Sequence, residues 1–167
     1  MIGGLRSFGG AMGQTGFVPV DVSAPEVHFR RKGQRGASLG LVAASASELI
    51  EQVERGFSYK TLHMLESRSG LPSPALAGLV GIPERTLARR KAAGKFTSEE
   101  SERLLRFSTV FEQAVELFEG DNAAALRWLT APRKALEGKT PLAYARTEVG
   151  AREVENLIGR LEHGVVS

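Results

Sequence analysis

The sequence predicts an all-α protein with two helical domains and a glycine-rich N-terminal arm. From about Ala44 onward, apolar residues recur at steps of three and four, and nearly every such segment opens at a capping residue and closes at glycine or proline. Alternating strand patterns are nearly absent. We expect a flexible arm over residues 1–43, a first domain over 44–110 and a second domain over 111–167.

Composition narrows the class of protein further. The chain has 167 residues, 42% hydrophobic content, a net charge of +3 and no cysteine. Disulfides and thiolate zinc sites are therefore excluded. The absence of a long apolar segment and of a signal-peptide core predicts a soluble protein of the reducing cytoplasm with no membrane partner. The net charge is small, so local clusters of charge are more informative.

The arm contains two distinctive segments. Nine of the nineteen glycines fall in the first forty residues, which is typical of a flexible chain. The segment FVPVDV at 17–22 is rich in β-branched residues but interrupted by Pro19, so it is at most an edge strand or a segment that docks on a partner. The run FRRKGQR at 29–35 is basic, and it either follows a nucleic-acid backbone or is simply solvated.

Capping residues mark the first two helices. Ser45 with Glu48 forms a capping-box pattern, and Gly56 ends the helix that follows. Ser58 opens the next helix, which closes around Ser69. Apolar residues at helical spacing give each of these helices one buried face.

The segment after these helices predicts a helix-turn-helix. Ser73 suits an N-cap, and the proline after it suits the first turn of a helix because its missing N–H is not needed there. Gly81 can adopt the positive φ of a tight turn, Ile82 can fill the space between the helices, and Pro83 suits the first turn of a second helix. Two short helices joined in this way are typical of a DNA-binding unit.

The second helix of this unit has a face suited to DNA. With Leu87 facing the core, steps of about 100° per residue turn Arg85 and Arg89 outward. From Arg85 to Lys95 there are five basic residues and no acidic one, a pattern that favours contact with phosphates. The DNA-contacting residues predicted from this pattern are Arg85, Thr86, Arg89, Arg90, Lys91 and Lys95.

A solvated basic face is the alternative for this helix. Arg90 stands three residues after Leu87, where an apolar core residue is usual, so its stem is expected to lie over the core. In this alternative, Arg90 or Lys91 pairs with an acidic residue at the start of the next helix. The two acidic residues there are Glu99 and Glu100.

A long central helix follows the basic one. Thr97 with Glu100 forms a second capping box, and helical spacing continues to Gly120. Apolar side chains, Phe111 among them, cover so much of its circumference that one neighbour could not bury them all. We expect this helix to pack on two sides, either as a spine between the domains or as a dimer seam.

The last third of the chain predicts a separate helical unit. Asp121 caps a helix that Pro132 stops, and Thr140 begins a short helix after it. The final helix is predicted over 151–162 from its apolar spacing. The apolar tail at 165–167 has no obvious core to join, so it either inserts into another protein or frays in solvent.

Two long stretches of this sequence resemble a known family. They are GIPERTLARRKAAGKFTSEESERLLR at 81–106 and AAALRWLTAPRKALEGKTPLAYARTEVGAREVENLIGRLEHGVVS at 123–167. Both are similar to Xre/MbcA/ParS-type antitoxins of bacterial type II toxin–antitoxin modules. The second stretch is the more specific, because it resembles the family's toxin-binding domain through nearly its full length. The first forty residues fall outside the resemblance.

The resemblance implies a function and two partners. Members of this family bind and silence a co-expressed toxin, commonly a RES-domain protein that consumes NAD, and many repress their own operon through binding of the helix-turn-helix to operator DNA. In such pairs the C-terminal region of the antitoxin blocks the active site of the toxin. Self-association as a homodimer, through the C-terminal domain, is also expected.

The resemblance also implies which residues meet the toxin. These residues are Leu157, Arg160, Leu161, Gly164, Val165 and Val166. Arg160 either pairs with an acidic group of the partner or mimics a contact made near a phosphate-bearing substrate. In the alternative, Arg160 only pairs with Glu153 or another neighbour on its own helix.

An enzyme is not expected from this sequence. The three histidines, His28, His63 and His163, lie in unrelated segments, and no metal-ligand spacing, phosphate loop or nucleophile elbow occurs. We therefore expect no metal, cofactor or small-molecule substrate. Two alternatives to an antitoxin stay open, namely a stand-alone transcriptional regulator and a protein-interaction module with a vestigial helix-turn-helix.

Overall fold

The computed structural model describes residues 34–164, and this part of the chain is all-α, as predicted. Its helices are α1 (Ala46–Arg55), α2 (Lys60–Ser69), α3 (Ser73–Leu79), α4 (Glu84–Ala93), α5 (Ser98–Leu117), α6 (Asn122–Thr130), α7 (Pro141–Tyr144) and α8 (Glu148–Glu162). Two 3-10 turns occur at Ala37–Leu39 and Lys134–Leu136. Among the described helices, none is long and apolar enough to cross a membrane. The segment expected at 17–22 lies outside the described residues.

The folded part of the chain begins before residue 43, where we expected the flexible arm to end. Leu39 is 1% exposed and belongs to the hydrophobic core. Beside it, the N–H and the hydroxyl of Ser38 both donate to Oε1 of Glu112, each over 2.6 Å. The last residues of the expected arm are therefore held by a carboxylate 74 residues away in the chain. Local sequence patterns do not reveal a partner at that separation.

Helix α5 is the centre of the fold. It begins at the predicted capping box, in which Thr97 and Glu100 exchange hydrogen bonds. It packs against α1, α6, α8 and the first 3-10 turn. Phe111 on α5 is fully buried, and its ring stacks on that of Phe107 with 6.0 Å between the centroids. The expectation that the long helix packs on more than one side is confirmed.

The start of α3 differs from the prediction by one residue. Pro72 is the N-cap and Ser73 already lies in the first turn, so the hydroxyl of Ser73 does not cap the helix. Instead, the N–H and the hydroxyl of Ser73 both donate to the carboxylate of Glu66 on α2, each over 3.0 Å. Hydrogen bonds from His63 and Ser73 hold the pKa of Glu66 below its ordinary value. A carboxylate from α2 thus takes the place of the predicted cap and joins α2 to α3.

Helix α8 begins at Glu148, earlier than the predicted start at residue 151. Thr147 is its N-cap and accepts a hydrogen bond from the N–H of Gly150. Glycine inside a helix normally weakens it, which is why the sequence did not indicate this start. A Cβ atom at Gly150 would overlap the carbonyl oxygen of Tyr144, so glycine is needed for α8 to approach α7.

The two expected domains share α5. The expected division at residue 110 falls inside this continuous helix, and one hydrophobic core extends on both sides of it. Arg106 of α5 also reaches the C-terminal part, where its Nη1 donates to the carbonyl oxygen of Arg146 over 3.0 Å. The Nε of Arg106 lies 3.7 Å from Oε2 of Glu148. The orientation of α4 and that of α8 therefore depend on the same helix.

Candidate functional site

The connection between α3 and α4 has the tight turn that the sequence predicts. Gly81 has a φ of 75°, in the left-handed region that favours glycine. The N–H of Ile82 donates to the carbonyl oxygen of Ala77 over 2.7 Å, and the side chain of Ile82 is buried between the helices. Pro83 is the N-cap of α4 rather than part of its first turn. These contacts fix the direction of α4 relative to α3.

Helix α4 turns one side chain to the core and a basic face to solvent. Leu87 is buried, as predicted. Arg85, Arg89 and Lys91 are exposed, and Thr86 is half-buried on the flank. The exposed cations stand on a helix of ten residues whose opposite side is anchored, which is the arrangement that a recognition helix needs in a major groove.

Arg90 differs from the other basic residues of α4. Its Nε donates to Oε2 of Glu100 over 2.7 Å, and its side chain is only 19% exposed. Burial raises the pKa of Glu100, but the hydrogen bonds from Arg90 and Thr97 and the charge of Arg90 outweigh it and keep that pKa below its ordinary value. The pairing of Arg90 with Glu100, which the sequence left open, is therefore present. It fastens α4 to the start of α5.

The C-terminal end of α4 is anchored as well. The N–H of Phe96, just after the helix, donates to the carbonyl oxygen of Phe57 over 2.8 Å. A Cβ atom at Gly56 would overlap the carbonyl oxygen of Phe96, so this close approach requires glycine. Lys95 is exposed beside the contact. A helix held at both ends loses little conformational entropy when it binds.

Helix α8 carries most of the second set of predicted residues. Leu157 is 8% exposed and packs in the core with Val154 and Ile158, so it supports the helix from within. Its predicted contact with a toxin stays a prediction. Leu161 is half-buried at the edge of the core. The apolar stripe of α8 is therefore largely used inside the molecule.

The end of α8 is exposed. Arg160 is exposed and makes no ion pair within residues 34–164, so the alternative pairing with Glu153 does not form. Gly164 follows the helix with a φ of 71°. Val165 and Val166 lie outside the described residues, and their role in binding a partner stays a prediction. Of the expected set, Arg160 and Gly164 are the described residues that solvent reaches most fully.

The histidines do not come together in the described part of the chain. His63 contacts Glu66 over 3.2 Å, and His163 is the C-cap of α8. His28 lies outside the described residues. Within residues 34–164, no group of three or more histidines and carboxylates is placed to hold a metal ion.

Sequence reasoning missed one buried carboxyl group on the central helix. Glu112 on α5 is 6% exposed and accepts the two hydrogen bonds from Ser38. Burial raises its pKa from 4.5 to about 7, although hydrogen bonds from Ser38 and Gly36 and the charge of Arg68 oppose the rise. No sequence signal pointed to Glu112, because a glutamate on a helix is ordinarily expected to face solvent.

Comparison with known proteins covers both halves of the site. Residues 48–108 match the antitoxin Xre-like helix-turn-helix domain, and residues 113–164 match the antitoxin Xre/MbcA/ParS C-terminal toxin-binding domain. Antitoxin Xre of Yersinia enterocolitica is 42% identical to this chain over 130 residues, which are 77% of this chain and 88% of that protein. The chain belongs to the Xre family of antitoxins.

Two further relatives carry the same description. Antitoxin Xre of Photorhabdus laumondii is 36% identical over 131 residues, covering 78% of this chain and 88% of that protein. Antitoxin Xre of Pseudomonas putida is 31% identical over 122 residues, covering 72% and 75% respectively. In this Xre-family antitoxin, the basic face of α4 lies in the helix-turn-helix match and Arg160 lies in the toxin-binding match.

Proposed function

We propose that this antitoxin binds and inhibits a cognate RES-domain toxin that consumes NAD, and that it represses its own operon by binding operator DNA. One observation carries the proposal. The chain presents two exposed surfaces, the basic outer face of α4 and the end of α8 with Arg160, on two halves that share α5. Each surface lies in the half whose family match describes the corresponding activity.

The toxin-binding half acts through the end of α8. Arg160 is exposed and has no ion-pair partner among the described residues, so its guanidinium is available to an acidic group of the toxin. The core contacts of α8 up to Leu161 hold the helix in place. The chain from Gly164 through Val165 and Val166 then enters the active-site cleft of the toxin and blocks it.

The DNA-binding half acts through α4. Arg85 and Arg89 read base edges in the major groove, with Thr86 on the flank. Lys91 and Lys95 contact phosphates, which adds affinity that does not depend on base sequence. Arg90 positions α4 by its pairing with Glu100 and contributes its charge at the edge of the interface.

The proposal also includes the domain boundaries, the oligomeric state and the cellular location of the antitoxin. We assign DNA binding to residues 44–110 and toxin binding to residues 111–167. The antitoxin forms a homodimer through the C-terminal domain and acts in the cytoplasm, without enzymatic activity of its own. In a dimer, a two-fold axis would relate the two copies of α4, in the same way as it relates the two half-sites of a palindromic operator.

Substitutions in α4 test the DNA-binding half. Arg85→Ala or Arg89→Ala should cost about 1–3 kcal/mol of specific binding and relax the choice of base. Lys95→Ala should weaken binding to all sequences and lower the salt slope by about one unit. Gel shifts with the DNA upstream of the operon, at several salt concentrations, measure both effects. No shift of this DNA by the unsubstituted protein at physiological salt would refute the repressor half.

A stand-alone regulator is the second candidate. The exposed basic face of α4 supports it equally well, because DNA binding needs no toxin. Co-expression of the tagged protein with the product of the adjacent gene distinguishes an antitoxin from a stand-alone regulator. The antitoxin function is supported if the adjacent product co-purifies and lowers cellular NAD when it is expressed alone, but not when it is expressed with the antitoxin. If the adjacent product neither binds nor affects NAD, the regulator is favoured.

A further inference from the structure

An open groove of about 1250 Å³ runs between α1 and the first turns of α5. Its apolar lining includes Leu49 and Val53 from α1 and Leu105 from α5. Ile50 of α1 and Val42 also line the groove and are 58% and 78% exposed, so it presents more than one large apolar side chain to solvent. The groove thus combines a partly buried apolar floor with exposed apolar residues at its rim.

The rim at one end of the groove is acidic. Glu54, Glu99 and Glu102 line it, and none of them makes an ion pair within residues 34–164. The two acidic residues at the other end do have basic partners, since Glu148 lies near Arg106 and Glu155 lies 3.7 Å from Arg35. Three carboxylates thus line the groove without an ion-pair partner among the described residues.

The N-terminal arm meets the described structure at this groove. Gln34 and Arg35 themselves line it. Gly36 follows, so close to the floor that a Cβ atom there would lie 3.3 Å from Cδ1 of Leu105. The residues immediately before Gln34 are therefore tethered at the groove, which gives them a high effective concentration for it.

The sequence of the arm complements the groove in charge and in length. Residues 29–33 read FRRKG, an aromatic side chain followed by three cations. The groove follows α5 from Thr109 back to Ser98, about 16 Å at 1.5 Å per residue. Five residues of extended chain cover about 16 Å at 3.3 Å per residue. The three cations can thus lie beside the three unpaired carboxylates, with Phe29 near the apolar residues of α1.

We infer that residues 29–33 of this same chain dock in the groove between α1 and α5, with Arg30, Arg31 and Lys32 paired to Glu54, Glu99 and Glu102. This contact is intramolecular and is independent of the toxin and of DNA. It gives the basic run of the arm a role in the protein itself instead of along a DNA backbone. It also covers apolar side chains of α1 that are otherwise exposed.

Disulfide trapping tests the inference directly, because the chain has no cysteine of its own. In the full chain, Lys32→Cys with Glu102→Cys should form an intramolecular disulfide with an effective concentration about tenfold above that of the control pair. The control pair is Lys32→Cys with Glu153→Cys. Glu153 is exposed on α8, two residues along the helix from Glu155, and it does not line the groove.

Charge reversal tests the chemistry of the contact. Adding Glu54→Lys and Glu99→Lys to the trapping pair should lower its effective concentration to that of the control, and 1 M NaCl should do the same. Equal trapping by both pairs in the original background would overturn the inference. Disulfide-linked dimers in place of intramolecular disulfides would mean that a second copy occupies the groove, and this too would overturn it.

Hydrogen exchange keeps the inference testable if a substituted chain fails to fold. In the unsubstituted protein, the amides of residues 29–33 should exchange more slowly at low salt than at 1 M NaCl. Exchange at the rate of an unstructured peptide at both salt concentrations would contradict docking.

Discussion

Folding raises the pKa of the Glu112 carboxyl. Glu112 is buried on α5, its carboxylate accepts both hydrogen bonds of Ser38, and its pKa rises from 4.5 to about 7. Between these two pH values, the folded state keeps a proton that the unfolded state has released. The free energy of unfolding therefore falls as pH rises through this range, by about 3 kcal/mol from this group alone.

The substitution Glu112→Gln tests this account. Glutamine keeps an oxygen that accepts from Ser38 but carries no charge, so the decrease of stability between pH 4.5 and about 7 should be reduced in this variant. Urea unfolding at several pH values measures the effect. Glu119→Gln, at an exposed position after the same helix, is the control and should leave the decrease in place. An unchanged pH dependence in Glu112→Gln would show that Glu112 titrates normally.

At the scale of elements, sequence predicted helix boundaries where the cap is adjacent in the chain. Ser45 and Thr97 are N-caps as expected, because capping is local chemistry. The cap of α3 and the start of α8 were not predictable. The first depends on Glu66 from another helix, and the second on the close approach of Gly150 to Tyr144. Both are tertiary contacts, which local patterns do not encode.

Two glycines of α8 offer a matched test of this difference. Gly159→Ala should stabilise the protein by about 0.5–1 kcal/mol, because alanine is the better helix former and no atom lies within 4 Å of its Cβ position. Gly150→Ala should destabilise it, because its Cβ would overlap the carbonyl oxygen of Tyr144. Thermal unfolding compares the two. Stabilisation by both substitutions would mean that α7 and α8 are not in close contact.

The same distinction applies to the candidate site. Helical spacing alone predicted that Arg85 and Arg89 face away from Leu87, and the structure agrees. Spacing could not decide between DNA contact and ion pairing for Arg90, because its partner Glu100 lies on another helix. Nor could a family resemblance separate the buried Leu157 from the exposed Arg160, since both stand on the final helix.

At the scale of the whole molecule, α5 links the two surfaces. Phe111→Ala should destabilise the protein by about 3–5 kcal/mol, because the ring is fully buried and its removal leaves a cavity. That loss approaches the total stability of many domains, so DNA binding and toxin binding should fail together. Calorimetry and both binding assays check this. Val149→Ala, 74% exposed on α8, should change little. Unchanged stability in Phe111→Ala would contradict the placing of this ring in the core.

The central claim is that the end of α8 and the tail after it inhibit the toxin. Deletion of residues 164–167 leaves the core of the described residues in place, because the last apolar residue of residues 34–164 that packs against it is Leu161. The shortened protein should therefore fold and bind DNA. Val165→Asp would place an unpaired carboxylate in an apolar contact and should reduce inhibition more than Val165→Ala. Val149→Asp, at the exposed start of α8, is the matched control and should protect normally.

The most direct measurement is the growth and NAD content of cells that express the toxin together with each of these variants. The account predicts that the full chain and Val149→Asp protect the cells, whereas the chain without residues 164–167 protects weakly or not at all. Full protection by the shortened chain would contradict the claim, because inhibition would then come from another part of the C-terminal domain.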